Sequence, residues 1–178
     1  MEKKTINQKG LSLLEALVAI SAFVIVISVA LTLFTTGIGS QRKIIAQQNV
    51  QDNAMFLLNF MAKEIRMGIV TSYNPPSTLT IERTDPQDPL ITYYVTYLFD
   101  GTNIQRSTTG ANPVTGPINS NNVLVSGRFY AQGKGINPGD NHQPRVTIVI
   151  RVETTGTKAE QRAVAELQTT LSQHKLGI

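Results

Sequence analysis

Hydrophobicity along the chain changes character three times. Residues 1–10 are polar and basic, with Lys3, Lys4 and Lys9 outweighing Glu2. Residues 16–34 form an uncharged, mostly apolar run, and no charge follows Glu15 until Arg42. At the rise of an α-helix that run spans about 28 Å, close to the hydrocarbon thickness of a bilayer. It is apolar on every side, so it does not read as an amphipathic surface helix.

From Gln41 the helix is expected to continue in another form. Residues 41–67 contain neither proline nor glycine. Met55, Leu58, Ala62, Ile65 and Ile69 recur at three- and four-residue spacing, with Phe56 and Phe60 alongside. Asp52, Lys63, Glu64 and Arg66 flank that stripe, which predicts a helix packed by one face onto its own domain. Gly37 and Gly39, between the two halves, mark the place where bending costs least, and Gly68 is the expected stop.

Beyond Val70 the periodicity shortens to two. Residues 78–83 alternate as a strand, and residues 90–99 are the strongest strand of the chain. Residues 85–89 read as a turn, and Asp100-Gly101 as a hairpin leading into 103–108. A polar loop is expected over 109–122 and a strand over 123–130, followed by an exposed loop over 132–144. Residues 145–153 place Val146, Ile148, Ile150 and Val152 on one face. Gly156 sits in a turn, residues 162–171 form a last strand, and a tail follows from His174. The expected class is α+β, a long N-terminal helix whose second half packs on a mainly antiparallel β-sheet head. Three parts follow: a leader over 1–10, an apolar helix over 11–40 and a head over 41–178.

Composition narrows the chemistry. The chain has no cysteine, which excludes a disulfide framework and thiolate metal sites. The formal charge of +4 falls to +2 without the first ten residues, and the remaining basic residues are scattered. A role in binding DNA is therefore a lesser expectation. No catalytic site, metal site or cofactor is expected. His142 falls in a loop and His174 in the tail, while Asp85, Asp88, Asp100 and Asp140 fall in turns. Gly133-Lys134-Gly135 lacks the full spacing of a phosphate-binding loop. Tyr93, Tyr94 and Tyr97 read as sheet residues rather than a stacking platform for single-stranded DNA.

Three topologies suit the N-terminus. A secretory signal peptide needs a shorter apolar region and a small-x-small cleavage site, which Gly37-Ile38-Gly39-Ser40 matches poorly. A plain single-pass anchor fits the length but gains nothing from Glu15. A precursor cut before the apolar run gives Glu15 a purpose. A carboxylate in a membrane helix costs about 2.5–3.5 kcal/mol on insertion scales. A cut after Gly10 would leave a cationic amine on Leu11 at a helix start, where the macrodipole disfavours it. In a filament of stacked helices, Glu15 can neutralise that amine on a neighbouring subunit.

The stretch Lys9-Gly10-Leu11-Ser12-Leu13-Leu14-Glu15-Ala16-Leu17-Val18-Ala19-Ile20 resembles the class III leader motif of type IV prepilins. The resemblance implies cleavage after Gly10 by a prepilin peptidase, N-methylation of Leu11, and Glu15 as the filament-assembly residue. The family most often has phenylalanine where this chain has Leu11. Many major pilins also bend their apolar helix with a proline, whereas the first proline here is Pro75. A straighter helix suits a minor pilin or a pseudopilin. The segment Met61-Ala62-Lys63-Glu64-Ile65-Arg66, leading into hairpins and a closing pair of strands, is similar to W-type minor pilins and to J-type pseudopilins of type II secretion.

The function implied is structural: a minor subunit of a type IV pilus-like filament that primes assembly or caps the tip. Two alternatives stand beside it, a pseudopilin of type II secretion and a membrane-anchored binding module that does not polymerise. The implied partners are other pilins through the N-terminal helix, the prepilin peptidase, an inner-membrane assembly platform and, before assembly, membrane lipid. The implied location is the cytoplasmic membrane with the head outside, then an extracellular or periplasmic filament. Filaments of this class serve adhesion, motility, secretion or DNA uptake.

Overall fold

The computed structural model describes residues 12–85, 88, 90–110, 113–133, 136 and 142–173. The expected leader, with Gly10 and Leu11, lies outside the described residues, as do Asp140, His174 and most of the expected loop over 132–144. The chain divides between Gln41 and Arg42 into two compact units. One helix, α1 (Leu13–Met67), contributes to both.

In the first unit α1 packs against no other described element. Every residue of 12–37 is exposed. In the second unit the helix packs on two antiparallel sheets, giving the α+β class expected. A five-stranded sheet runs in the order β1 (Ile69–Asn74), β2 (Thr78–Thr84), β3 (Thr92–Phe99), β4 (Ile104–Thr108), β5 (Thr115–Pro117). A three-stranded sheet runs β6 (Val123–Gln132), β7 (Arg145–Thr154), β8 (Val164–Ser172). All neighbours are consecutive in sequence, so each sheet is a meander. Asp100 makes one of these turns. Its Oδ1 accepts from the backbone N–H of Thr102 at 2.9 Å and of Asn103 at 2.6 Å, and Gly101 takes the positive φ of 97° that the turn requires.

The core joins the buried face of α1 to the inward rows of both sheets. The helix supplies Ala46, Val50, Ala54, Leu57, Met61 and Ile65, and the strands supply Leu79, Ile81, Val95 and Ile104 on one sheet and Val146, Ile148, Ile150 and Val152 on the other. The two sheets meet where Phe99 and Phe129 approach to 4.8 Å between ring centroids. That contact requires Gly127. A Cβ there would come within 2.7 Å of the Phe99 ring and 2.5 Å of the Val149 carbonyl.

Several local expectations are corrected. The expected stripe is buried at Leu58 and Ile65, and Phe60 and Ala62 pack against the core, but Met55 is 57% and Phe56 55% exposed. The buried row runs instead through Ala46, Val50, Ala54, Leu57 and Met61 to Ile65. Ile69 continues the helical rhythm by accident. It begins β1, paired with Glu82 of β2. The expected loop over 109–122 contains β5, a three-residue edge strand held by only three pairings. Tyr97 is core, Tyr93 is half-buried and Tyr94 is exposed.

Candidate functional site

Two carboxylates on α1 stand out, one in each unit. Glu15 lies in the first turn of the helix. Ser12 caps that turn, its Oγ accepting from the Glu15 backbone N–H at 3.2 Å and its carbonyl from the Ala16 N–H at 3.1 Å. Serine followed three residues later by glutamate is the spacing of a capping box. That spacing is present in the sequence at the same glutamate that is expected to act in assembly. The Glu15 carboxylate has no ion partner among the described residues.

The surface around Glu15 is almost wholly apolar. Leu13, Leu14, Leu17, Val18 and Ile20 are each more than half exposed, and so are Leu33 and Phe34 near the far end. Mean hydropathy over the richest window is 2.8, and none of it is buried, so α1 is long and apolar enough to cross a membrane. An unburied apolar surface of this extent marks a contact with lipid or protein. The hydroxyls within it are internally satisfied. Ser21 donates to the Leu17 carbonyl at 2.8 Å, Ser28 to Val24 at 2.8 Å, Thr32 to Ser28 at 2.9 Å, Thr36 to Thr32 at 2.9 Å and Ser40 to Thr36 at 3.1 Å. A hydroxyl bonded to the preceding turn needs no water.

Glu64 is the opposite case. It is buried beneath the five-stranded sheet and surrounded by donors. Its Oε1 accepts from Arg106 Nη2 at 2.8 Å and from Arg83 Nη1 at 3.2 Å. Its Oε2 accepts from Arg106 Nε at 3.1 Å and from the Tyr97 hydroxyl in a very short contact. The Arg106 guanidinium also lies 5.7 Å from the centre of the Phe60 ring. Strands β2, β3 and β4 thus each send one side chain to the same helical carboxylate.

Burial alone would raise the Glu64 carboxyl. The hydrogen bonds from Arg106 and Tyr97 and the charges of Arg106 and Arg83 outweigh it, and hold the group below its ordinary value. Burial, and then the bond to Glu64, push the Tyr97 phenol upward. The cluster is a staple between helix and sheet. By sequence pattern Glu64 belongs to the polar flank of the helix, whereas in the fold it is buried. The signal that could have found it is the spacing Leu57, Met61, Glu64, which continues the buried row, together with an arginine on each of two strands.

The remaining chemistry-bearing residues do not converge. Among the described residues no group of three histidine, aspartate or glutamate side chains could hold a metal ion. Asp100 serves its hairpin; the Gln105 amide and the turn N–H groups of Thr102 and Asn103 draw its carboxyl well below the usual range. No known family model, no curated protein and no solved structure matches the chain.

Proposed function

We propose that this chain is the precursor of a minor subunit of a type IV pilus-like filament. It is cut after Gly10 and assembled through its N-terminal helix, where it primes the filament or caps its tip. One observation carries the reading: an exposed apolar helical surface bears one carboxylate, Glu15, in its first turn, with no ion partner among the described residues. A lipid anchor alone gives that carboxylate no counter-charge. The amine created on Leu11 of a neighbouring subunit supplies one, and pairing is favourable inside an apolar bundle because either charge alone is costly there. Before assembly the helix sits in the cytoplasmic membrane with residues 1–10 inside, in keeping with their lysines, and the head outside. The capping contact of Ser12 fits this role, because it fixes the helix start next to the new N-terminus.

Intact mass and N-terminal sequencing of the protein from its native membrane test the proposal. The expected result is a chain starting at Leu11 and carrying one added methyl group. A chain starting at Met1 in a host with active prepilin peptidase would overturn it in favour of a plain anchored module. A start near residue 40 would mean a signal peptide. The same processed product in a host whose only such machine is a type II secretion system would assign the chain as a pseudopilin.

A further inference from the structure

The two sheets have four edges, and three of them are closed to a further strand. The ladder of β1 with β2 is interrupted between Val70 and Ser72. Strand β5 is three residues long and ends on Pro117. The outer edge of β6 is occupied: the Val125 N–H donates to the Thr102 carbonyl and the Phe129 N–H to the Pro76 carbonyl, both at 2.8 Å, while the Phe129 carbonyl accepts from the Tyr73 hydroxyl. Strand β8 differs on every count. It has nine residues with no proline and no lysine, and its pairing with β7 is unbroken from Val164 to Ser172. Among the described residues its backbone bonds to β7 alone. A long regular edge without such protection is a template for another strand.

Beside that edge, a groove of about 510 Å³ runs between β8 and the outer flank of α1. Leu58 and Leu171 are the buried members of its lining, and Met55 and Ala62 line it from the helix. The stripe that the sequence suggested as the buried face is thus in part the wall of this groove. Lys63 and Arg66 also line it, exposed and without an anionic partner among the described residues. The single charge on β8, Glu166, is held by Arg151 of β7 at 2.6 Å and does not compensate them.

We infer that this groove receives an extended segment of a partner polypeptide, whose groove-facing side chains, at every second position, include both apolar groups and carboxylates, and that the segment adds to β8 as a fourth strand of the sheet. The open edge selects an extended backbone, the lining selects apolar side chains, and the two unpaired cations select acidic residues. Lys63 and Arg66 lie about 4.5 Å apart along the helix axis. Alternate residues of a strand lie about 6.8 Å apart, a mismatch that the flexible cationic side chains span. A second copy of this chain is the poorer occupant, because β8–β8 pairing would line the same seam with that copy's Lys63 and Arg66. The inference is independent of the filament reading and holds equally for an anchored head that never polymerises.

The test is selection of displayed random peptides, about ten residues long, on the full chain in detergent micelles, followed by hydrogen exchange of the complex. The expected winners carry apolar and acidic residues together at every second position, so that both face the groove. Their binding should slow exchange of the amides of residues 164–172 and weaken about tenfold or more in the Lys63→Glu, Arg66→Glu double variant. Both positions are exposed on the helix, so the variant should keep its fold. Winners without acidic bias, winners that leave exchange in β8 unchanged, or no winners would each overturn the inference. Concentration-dependent self-association that protects the same amides would replace it with pairing between copies. Loss of processing at Gly10 would leave this result untouched, so the two proposals fail separately.

Discussion

The two glutamates of α1 occupy one helix and obey opposite rules. Glu15 stands on a segment where every residue is exposed and has no ionic partner among the described residues. Glu64 stands where one face of the helix is buried, and it has three partners drawn from three strands. The second arrangement is complete within one chain. Burial there removes a charge from water only because Arg83, Arg106 and Tyr97 replace the lost hydration. The first is incomplete, with apolar surface lacking cover and a charge lacking a mate. A self-contained staple holds a head together, and an unfinished surface calls for other molecules.

The largest effect is expected at Glu15. Glu15→Leu should abolish incorporation into filaments while leaving membrane insertion and the thermal unfolding of the head unchanged. Fractionation of sheared filaments beside a melting curve of the full chain in detergent reads both. Incorporation at the wild-type level would remove the contrast between the two carboxylates.

Glu64→Gln should leave assembly chemistry intact but destabilise the head by about 3 kcal/mol, since two half-buried guanidinium groups lose their buried anion. Urea unfolding of the full chain measures it. The pH dependence has a definite sign. The folded carboxyl lies below its ordinary value of 4.5, so the folded state keeps its charge at pH values where the unfolded chain takes up a proton. The stabilisation is fully present above the ordinary value and declines as pH falls toward the folded one. Wild type should therefore lose stability on acidification in that window, and Glu64→Gln should show a flatter profile. Equal slopes would mean that the staple is not ionic.

Leu57→Ala, in the middle of the buried row, should cost about 2–5 kcal/mol in the same assay. Met55→Ser should cost less than about 0.5 kcal/mol, because the side chain is exposed. If the two costs were reversed, the buried row would be the one that the large apolar residues suggested.

That last pair shows how far the fold was legible. The long helix, its stop at Gly68 and the main strands β2, β3, β4, β6, β7 and β8 follow from periods of 3.6 and 2 that large side chains advertise. The orientation of the helix follows only in part: Leu58 and Ile65 lie on the buried side as the pattern suggests, while Met55 and Phe56 do not and the buried Ala46 and Ala54 carry little weight in a hydrophobic pattern. Strand β1 was hidden because Ile69 keeps step with the helix before it. Strand β5 was hidden because three residues are too few to display a period. At the candidate site, Glu15 was conspicuous as a lone charge in an apolar run. Glu64 was inconspicuous, because its partners Arg83, Tyr97 and Arg106 come together only when three strands align, and such convergence leaves no mark on local sequence.

The row Ser28, Thr32, Thr36 and Ser40 has one further consequence. Each of these hydroxyls is turned back onto the preceding turn of its own helix. The segment therefore offers neighbours almost no unspent donor, and its polar account is settled before it meets any of them. Moving it from fatty acyl chains into a packed bundle, or back, trades one set of dispersion contacts for another and breaks no hydrogen bond. The helix is thus portable between two oils. On the filament reading proposed above, Glu15 gives that transfer a direction, since only the bundle can answer its charge.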